Sequence, residues 1–224
     1  MMYQIAIDGP SGAGKSSLAK ALAKRLGFIY VDTGALYRTI GYYAATRGAD
    51  TTVAEEVVSL LPEISLSLAY ENGTQTVILN GESVGDKIRT PEASMHASNV
   101  SKIPEVRAFL LDTQRDIAEK NSVIMDGRDI GTVILPKAQV KIFLVSSFET
   151  RAKRRVKELL EKGIEATYED VLSDMIARDK QDSTRAIAPA VPAEDAVHLD
   201  NSDLTFDETV EAAMAIIASR TELA

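Results

Sequence analysis

Two rhythms of apolar and polar positions alternate along the chain. Short apolar runs at 3–8 (YQIAID), 28–32 (FIYVD), 122–126 (SVIMD), 139–145 (QVKIFLV) and 196–199 (AVHL) read as buried strands. Longer amphipathic stretches lie between them, which predicts an α/β fold: a parallel sheet covered by helices. Leu18, Leu22 and Leu26 recur every four residues before Gly27, marking a first helix and its stop. Thr205 and Glu208 have capping-box spacing and open a last helix. Residues 64–84 break the rhythm. There Ile64, Leu66, Leu68 and Tyr70 alternate, with turn signals at Asn72-Gly73 and Asn80-Gly81. That pattern predicts a small antiparallel meander inserted as a subdomain.

Between the first strand and the first helix, Gly9, Pro10, Ser11, Gly12, Ala13, Gly14, Lys15 and Ser16 match the phosphate-loop pattern G-x-x-x-x-G-K-[ST], with Ser17 beside it. Glycines permit a tight turn with inward amides, and the helix N-terminus adds partial positive charge. Lys15 is placed to reach the β- and γ-phosphates of ATP. Ser16, or Ser17 next to it, is placed to support Mg2+, and Asp126 at a strand end is a second candidate support through water.

The 224 residues can bury a core without staples, and the absence of cysteine points to a reducing cytoplasm. The chain shows neither a leader-like apolar segment nor a run long enough to span a bilayer, so no membrane partner is expected. A net charge of −8 disfavours nucleic acid, while a local arginine cluster can still take a small anion. No N-K-x-D guanine box accompanies the loop, which leaves small kinases with a second, acceptor site.

Three stretches suit that acceptor site. DTGALYR (32–38) follows the second strand, with Thr33 able to cap a helix and Arg38 one turn inside it. DGRDIG (126–131) presents Arg128 and Asp129 after a strand. RDKQDSTR (178–185) sets Arg178, Asp182 and Arg185 on one face if the helix persists. Arginine is the residue for forked phosphate recognition. A fourth cluster, Arg151, Arg154 and Arg155, shares a face opposite Val156, Leu159 and Leu160, as a mobile lid over polyphosphate would require. A solvated helix face, a plain Arg178–Asp182 ion pair and a simple cap at Thr33 are the alternatives.

Together these stretches, with IRTPEASMHASNVSKIPEVR and LDNSDLTFDETV, resemble the bacterial cytidylate kinases over nearly the whole chain. The resemblance implies a P-loop NTPase core (1–35, 120–147 and 190–224), a monophosphate-binding subdomain (36–119) with the small sheet, and a short helical lid (148–189). It implies transfer of phosphate from ATP to CMP or dCMP with Mg2+, by a monomer. Arg38, Arg128 and Arg185 are then the clamp on the monophosphate, with Thr33 at a position where serine is also common. Ser98, Arg107 and Asp129 read the cytosine edge, and Arg178 and Asp182 contact ribose. Lys15, Arg128, Arg154 and Arg155 are the candidate catalytic cations. GKSS stands where the family often has GKGT, which leaves open which serine supports Mg2+. Another acceptor (UMP, AMP or a small hydroxylated metabolite), or a nucleotide-binding regulator without turnover, are the rival readings. His96 and His198 have no expected catalytic part, because an ionised acceptor phosphate needs no general base.

Overall fold

The structure, a computed structural model, describes residues 2–71 and 74–223. The five apolar runs become strands β1 (Gln4–Asp8), β2 (Ile29–Asp32), β6 (Val123–Asp126), β7 (Val140–Val145) and β8 (Val197–Asp200). They form one sheet in the order β2-β6-β1-β7-β8. β1 runs parallel to β7 with Ile5 opposite Val140, and β7 runs parallel to β8 with Ile142 opposite Val197. The connection from β1 runs toward β2 at one edge and that from β7 toward β8 at the other, so the carboxyl ends of β1 and β7 flank a topological switch point, where open α/β sheets bind ligands.

Two compact units divide the chain, one of residues 3–28 and 124 onward, the other of residues 29–123. In the first, Ile5, Ile7, Ile124, Met125, Ile142 and Leu144 are fully buried with Leu18 and Leu22 of α1 (Lys15–Leu26). Gly27 ends α1 as an αL C-cap. The capping box at Thr205 and Glu208 forms as expected and opens α8 (Phe206–Arg220), which packs on α1, where Arg25 pairs with Glu211. Helices α6 (Phe148–Glu161) and α7 (Tyr168–Thr184) share a small core of Ala152, Leu159, Val171 and Met175.

The second unit holds α2 (Thr33–Thr46), α3 (Ala54–Leu60), β3 (Leu66–Glu71), β4 (Thr74–Leu79), β5 (Glu82–Ser83), α4 (Pro91–Val100) and α5 (Pro104–Lys120). Its core gathers Leu36, Ile40, Val57, Val77, Val100, Val106 and Leu110, with Leu66, Leu68 and Leu79 packed against it. β3, β4 and β5 form the expected antiparallel sheet, with Leu66 opposite Leu79. Asn80 (φ 51°) and Gly81 (φ 86°) make its second turn with both residues left-handed, as a tight hairpin demands. The Asn72-Gly73 turn lies outside the described residues.

α2 and α4 come close together at Gly41. A Cβ there would come within 2.7 Å of His96 Cβ and 2.9 Å of its carbonyl carbon, so only hydrogen fits between the helices. Gly41→Ala is expected to destabilise the unit by about 1–3 kcal/mol through overpacking. Thermal or urea melts of the purified variant check this, and an unchanged melting point would refute the close approach.

Candidate active site

Asp8 closes β1, and the chain then turns sharply at Gly9 (φ 145°) into the loop ahead of α1. A Cβ on Gly9 would lie 2.1 Å from the Leu144 carbonyl oxygen, so the loop passes directly over β7. Lys15 folds back under the loop and donates from Nζ to the Pro10 carbonyl at 2.7 Å. Burial lowers the Lys15 ammonium from 10.5 to about 7; Arg128 adds repulsion, while Asp126 and Asp8 oppose the shift. Ser16 Oγ donates to Asp126 Oδ2 at 2.8 Å; Ser16 and Ser17 are both exposed on the first turn of α1. The Ser16–Asp126 oxygen pair suits a hard cation. No cluster of three or more His, Cys, Asp or Glu able to hold a metal occurs among the described residues. That oxygen pair has the chemistry of a Mg2+ support, since this ion is commonly held by one or two protein oxygens and the substrate's own phosphates.

Beyond Asp126 lies a dense set of charges within the same unit. Arg128 Nε donates to Asp182 Oδ2 at 2.9 Å, and Arg178 stands 4.0 Å from the same oxygen. Arg185 Nη2 donates to Asp129 Oδ1 at 3.3 Å in a buried pair. Burial alone would raise the Asp182 carboxyl, yet Arg128, Arg178 and Arg185 hold it below its ordinary value. The three-residue face expected at 178–185 is corrected in one respect: α7 stops at Thr184. Arg185 is an extended C-cap (φ −62°, ψ 143°) whose Nε reaches the Ala188 carbonyl at 2.5 Å, and this turns its guanidinium toward Asp129.

In the second unit, Arg38 Nη2 donates to Asp32 Oδ2 at 2.8 Å. The cap of α2 is Asp32, not Thr33, because its Oδ1 accepts from the Ala35 amide at 2.8 Å; Thr33 is instead buried as the first helical residue. Ser98 and Arg107 are buried here too, with the Arg107 guanidinium 5.6 Å over the Tyr37 ring and donating to the Ser101 carbonyl at 3.3 Å. The expected cytosine readers thus fall in both units, Ser98 and Arg107 in one and Asp129 in the other.

The arginines of α6 do not form one free face. Arg151 is buried, donates to the Ser146 and Ser11 carbonyls and to Asp179 Oδ2 at 2.6 Å, and lies over the Phe148 ring. Arg154 donates to the side-chain and main-chain oxygens of Asn201 at 3.3 and 3.0 Å, while Arg155 pairs with Glu158 near the surface. Leu160 also departs from expectation and points outward at 55% exposure, while Leu159 and Val156 pack in the core shared with α7.

A family model described as Cytidylate kinase matches residues 5–219. The chain belongs to the cytidylate kinase family. The curated cytidylate kinase of Thermosipho melanesiensis is 47% identical over 223 residues, covering all of both chains. That of Caldicellulosiruptor saccharolyticus is 48% identical over 207 residues, 92% of each. A solved structure of an uncharacterized protein from Eubacterium ventriosum shares the fold at 17% identity and TM-score 0.53, covering 98% of this chain and 100% of that one.

This cytidylate kinase family member positions its site with residues that patterning passed over. Asn201 is buried and donates to the Ala13 carbonyl at 3.0 Å, joining Arg154 to the phosphate loop. Asp179 Oδ1 accepts from the Ser11 amide at 3.2 Å, joining α7 to the same loop. Asp8 accepts from the Ile130 and Gly131 amides, both at 2.8 Å, and so anchors the turn that carries Arg128 and Asp129. The strand-end position that flags Asp126 applies equally to Asp8; Asn201 and Asp179 carry no comparable local signal.

Burial pushes the Asp8 carboxyl from 3.8 up to about 6; the two amides and Lys15 pull it down, and Asp129 adds to the rise. Between those two values the folded state binds the proton better than the unfolded chain. Stability from this group is therefore full below the lower value and is lost as pH climbs through about 6. Carboxyl-carbon NMR should place the Asp8 midpoint near 6, and a midpoint at the ordinary 3.8 would contradict the burial argument.

Proposed function

We propose that the chain transfers the γ-phosphoryl group of ATP to CMP or dCMP, giving ADP and CDP or dCDP, and acts as a cytoplasmic monomer without nucleic-acid or membrane partners. The observation that carries the reading is the phosphate loop, with Lys15 beneath it, in one unit with the guanidinium cluster of Arg128, Arg178 and Arg185. Among the described residues no helix is long and apolar enough to cross a membrane.

In this reading Gly9–Ser17 hold the ATP phosphates. Ser16 and Asp126 hold Mg2+, with Ser17 as the neighbouring hydroxyl. The ion, when bound, neutralises charge on the transferring group. Arg38, Arg128 and Arg185 grip the acceptor monophosphate, beside Thr33. Arg178 and Asp182 meet the ribose. Ser98, Arg107 and Asp129 meet the cytosine. An acceptor phosphate with a second pKa near about 6 is largely ionised at neutral pH, so its oxygen attacks the γ-phosphorus without a general base. That O–P bond forms as the bond from the γ-phosphorus to the β–γ bridging oxygen breaks, and ADP leaves. Lys15, Arg128, Arg154 and Arg155 offset the charge that spreads over the transferring group. Positive charge at Lys15 is needed only once phosphates arrive, and their field restores the proton that burial weakens. Closure of the 148–189 region is expected to bring Arg154 and Arg155 to the polyphosphate and exclude water. The histidines stand outside this scheme: His96 Nδ1 bonds Thr51 Oγ1 at 2.9 Å, and His198 packs on Phe143.

An ADP-release assay with a panel of acceptors tests the reading. CMP should drive ADP formation, and Lys15→Ala should cut kcat on the order of 100-fold or more while the fold is retained. Release that ignores CMP, or a variant within tenfold of the parent, would sink it.

Base choice has its own test. A carboxylate at Asp129 accepts from the cytosine amino group but opposes the carbonyl of uracil, a difference of about 1–3 kcal/mol for a well-placed contact. Asp129→Ala should lower kcat/KM for CMP by about ten- to a hundredfold and hurt UMP much less. Because the change also removes the carboxylate that Arg185 meets, the CMP:UMP ratio is the readout; an unchanged ratio assigns base reading elsewhere.

A further inference from the structure

Side chains alternate across a strand, so Gln75 and Val77 of β4 face the same way, and both are buried. Val77 belongs to the core of the unit, which makes Gln75 a polar side chain at a position where patterning expects an apolar one. Burying an amide is costly unless its hydrogen bonds are met. Here they are met by a single residue. Gln75 Oε1 accepts from the Asp32 amide at 2.8 Å, and Nε2 donates weakly to the Asp32 carbonyl at 3.4 Å. The amide therefore grips both sides of the Asp32 backbone, at the point where β2 passes into α2.

Asp32 is itself fully engaged. One carboxylate oxygen caps α2 at Ala35 and the other holds Arg38 Nη2, each at 2.8 Å. Gly34 leaves the space that the guanidinium needs, since a Cβ there would stand 3.1 Å from Arg38 Nη1. The Nε of Arg38 is buried with no hydrogen-bond partner among the described residues. The guanidinium is thus held on one edge by Asp32 and retains a donor for something else. With Asp32 fixed at its backbone by the small sheet, the direction of that donor is fixed too.

We propose that Gln75 is a positioning residue for Arg38: it locks the Asp32 backbone and, through the Asp32 carboxylate, aims the guanidinium at the acceptor phosphate. This rests on the reading of Arg38 as a monophosphate contact. It also gives the inserted meander a task, because the only buried polar side chain that β4 contributes among its described side chains is the one that reaches the helix cap.

The test is a cycle of Gln75→Met, Arg38→Ala and the double variant in the full-length enzyme, with KM for CMP, KM for ATP and kcat measured by ADP release. Gln75→Met keeps the length of the side chain and removes both polar atoms. It should raise KM for CMP about three- to tenfold, the cost of one or two net hydrogen bonds, while KM for ATP stays put. In the Arg38→Ala background the same change should shift KM for CMP by less than about twofold, since residues acting through one another are not additive. A purely structural role for Gln75 predicts instead multiplied effects, or equal damage to both substrates, and either result overturns the proposal. If Gln75→Met proves too unstable to assay, Gln75→Ala with CMP-induced thermal protection replaces turnover under the same criteria. Unchanged CMP affinity in Gln75→Met beside impaired Arg38→Ala refutes this proposal alone. Unchanged CMP affinity in Arg38→Ala refutes the phosphate-contact reading from which it starts.

Discussion

A carboxylate at the end of the central strand organises much of the first unit. Asp8 is buried, lies one residue before the phosphate loop, and accepts the amides of Ile130 and Gly131. Through those two bonds the turn after β6 is registered against the loop after β1. Gly127 adds a third, donating its amide to the Ile7 carbonyl at 3.1 Å. The backbone of the turn that carries Arg128 and Asp129 is therefore placed by these bonds. Burial costs Asp8 part of its ionisation, which marks this anchor as a constraint held by the surrounding fold.

Charges around the anchor are arranged so that each buried guanidinium meets a carboxylate. Arg128 meets Asp182, Arg185 meets Asp129 and Arg151 meets Asp179. Buried ion pairs of this kind are weak sources of stability, because desolvation cancels much of the attraction. Their value lies in orientation: a guanidinium held on one edge presents its remaining donors in a fixed direction. Arg151 and Asp179 serve a different end. Both bond to Ser11, so α6 and α7 are fastened to the phosphate loop at their inner ends, while Arg155 and Glu158 lie nearer the surface.

The second unit repeats the logic at smaller scale. Asp32 caps α2 and holds Arg38, Gln75 holds Asp32, and the core beneath is closed by the contact of Gly41 with His96. A helix cap, a guanidinium and an inserted sheet become one assembly because each supplies what the others leave unsatisfied.

Much of this was legible in the chain itself. Apolar runs of four to seven residues placed the five core strands to within a residue, since the inner strands are buried on both faces, although β8 buries only Leu199 fully. The phosphate loop was legible because its glycines, lysine and serine answer to backbone sterics and phosphate charge at fixed spacing. The capping box of α8 and the Asn80-Gly81 turn are equally local. What could not be read were contacts between residues far apart in sequence. The pairing of Ser16 with Asp126, the choice of Asp182 over Asp129 as the partner of Arg128, the burial of Arg151 and the reach of Gln75 to Asp32 all depend on distances set by packing. Spacing along a helix says which residues share a face, but not which face is covered; only the tertiary structure decides that, because desolvation and partner geometry exist only once the elements have met.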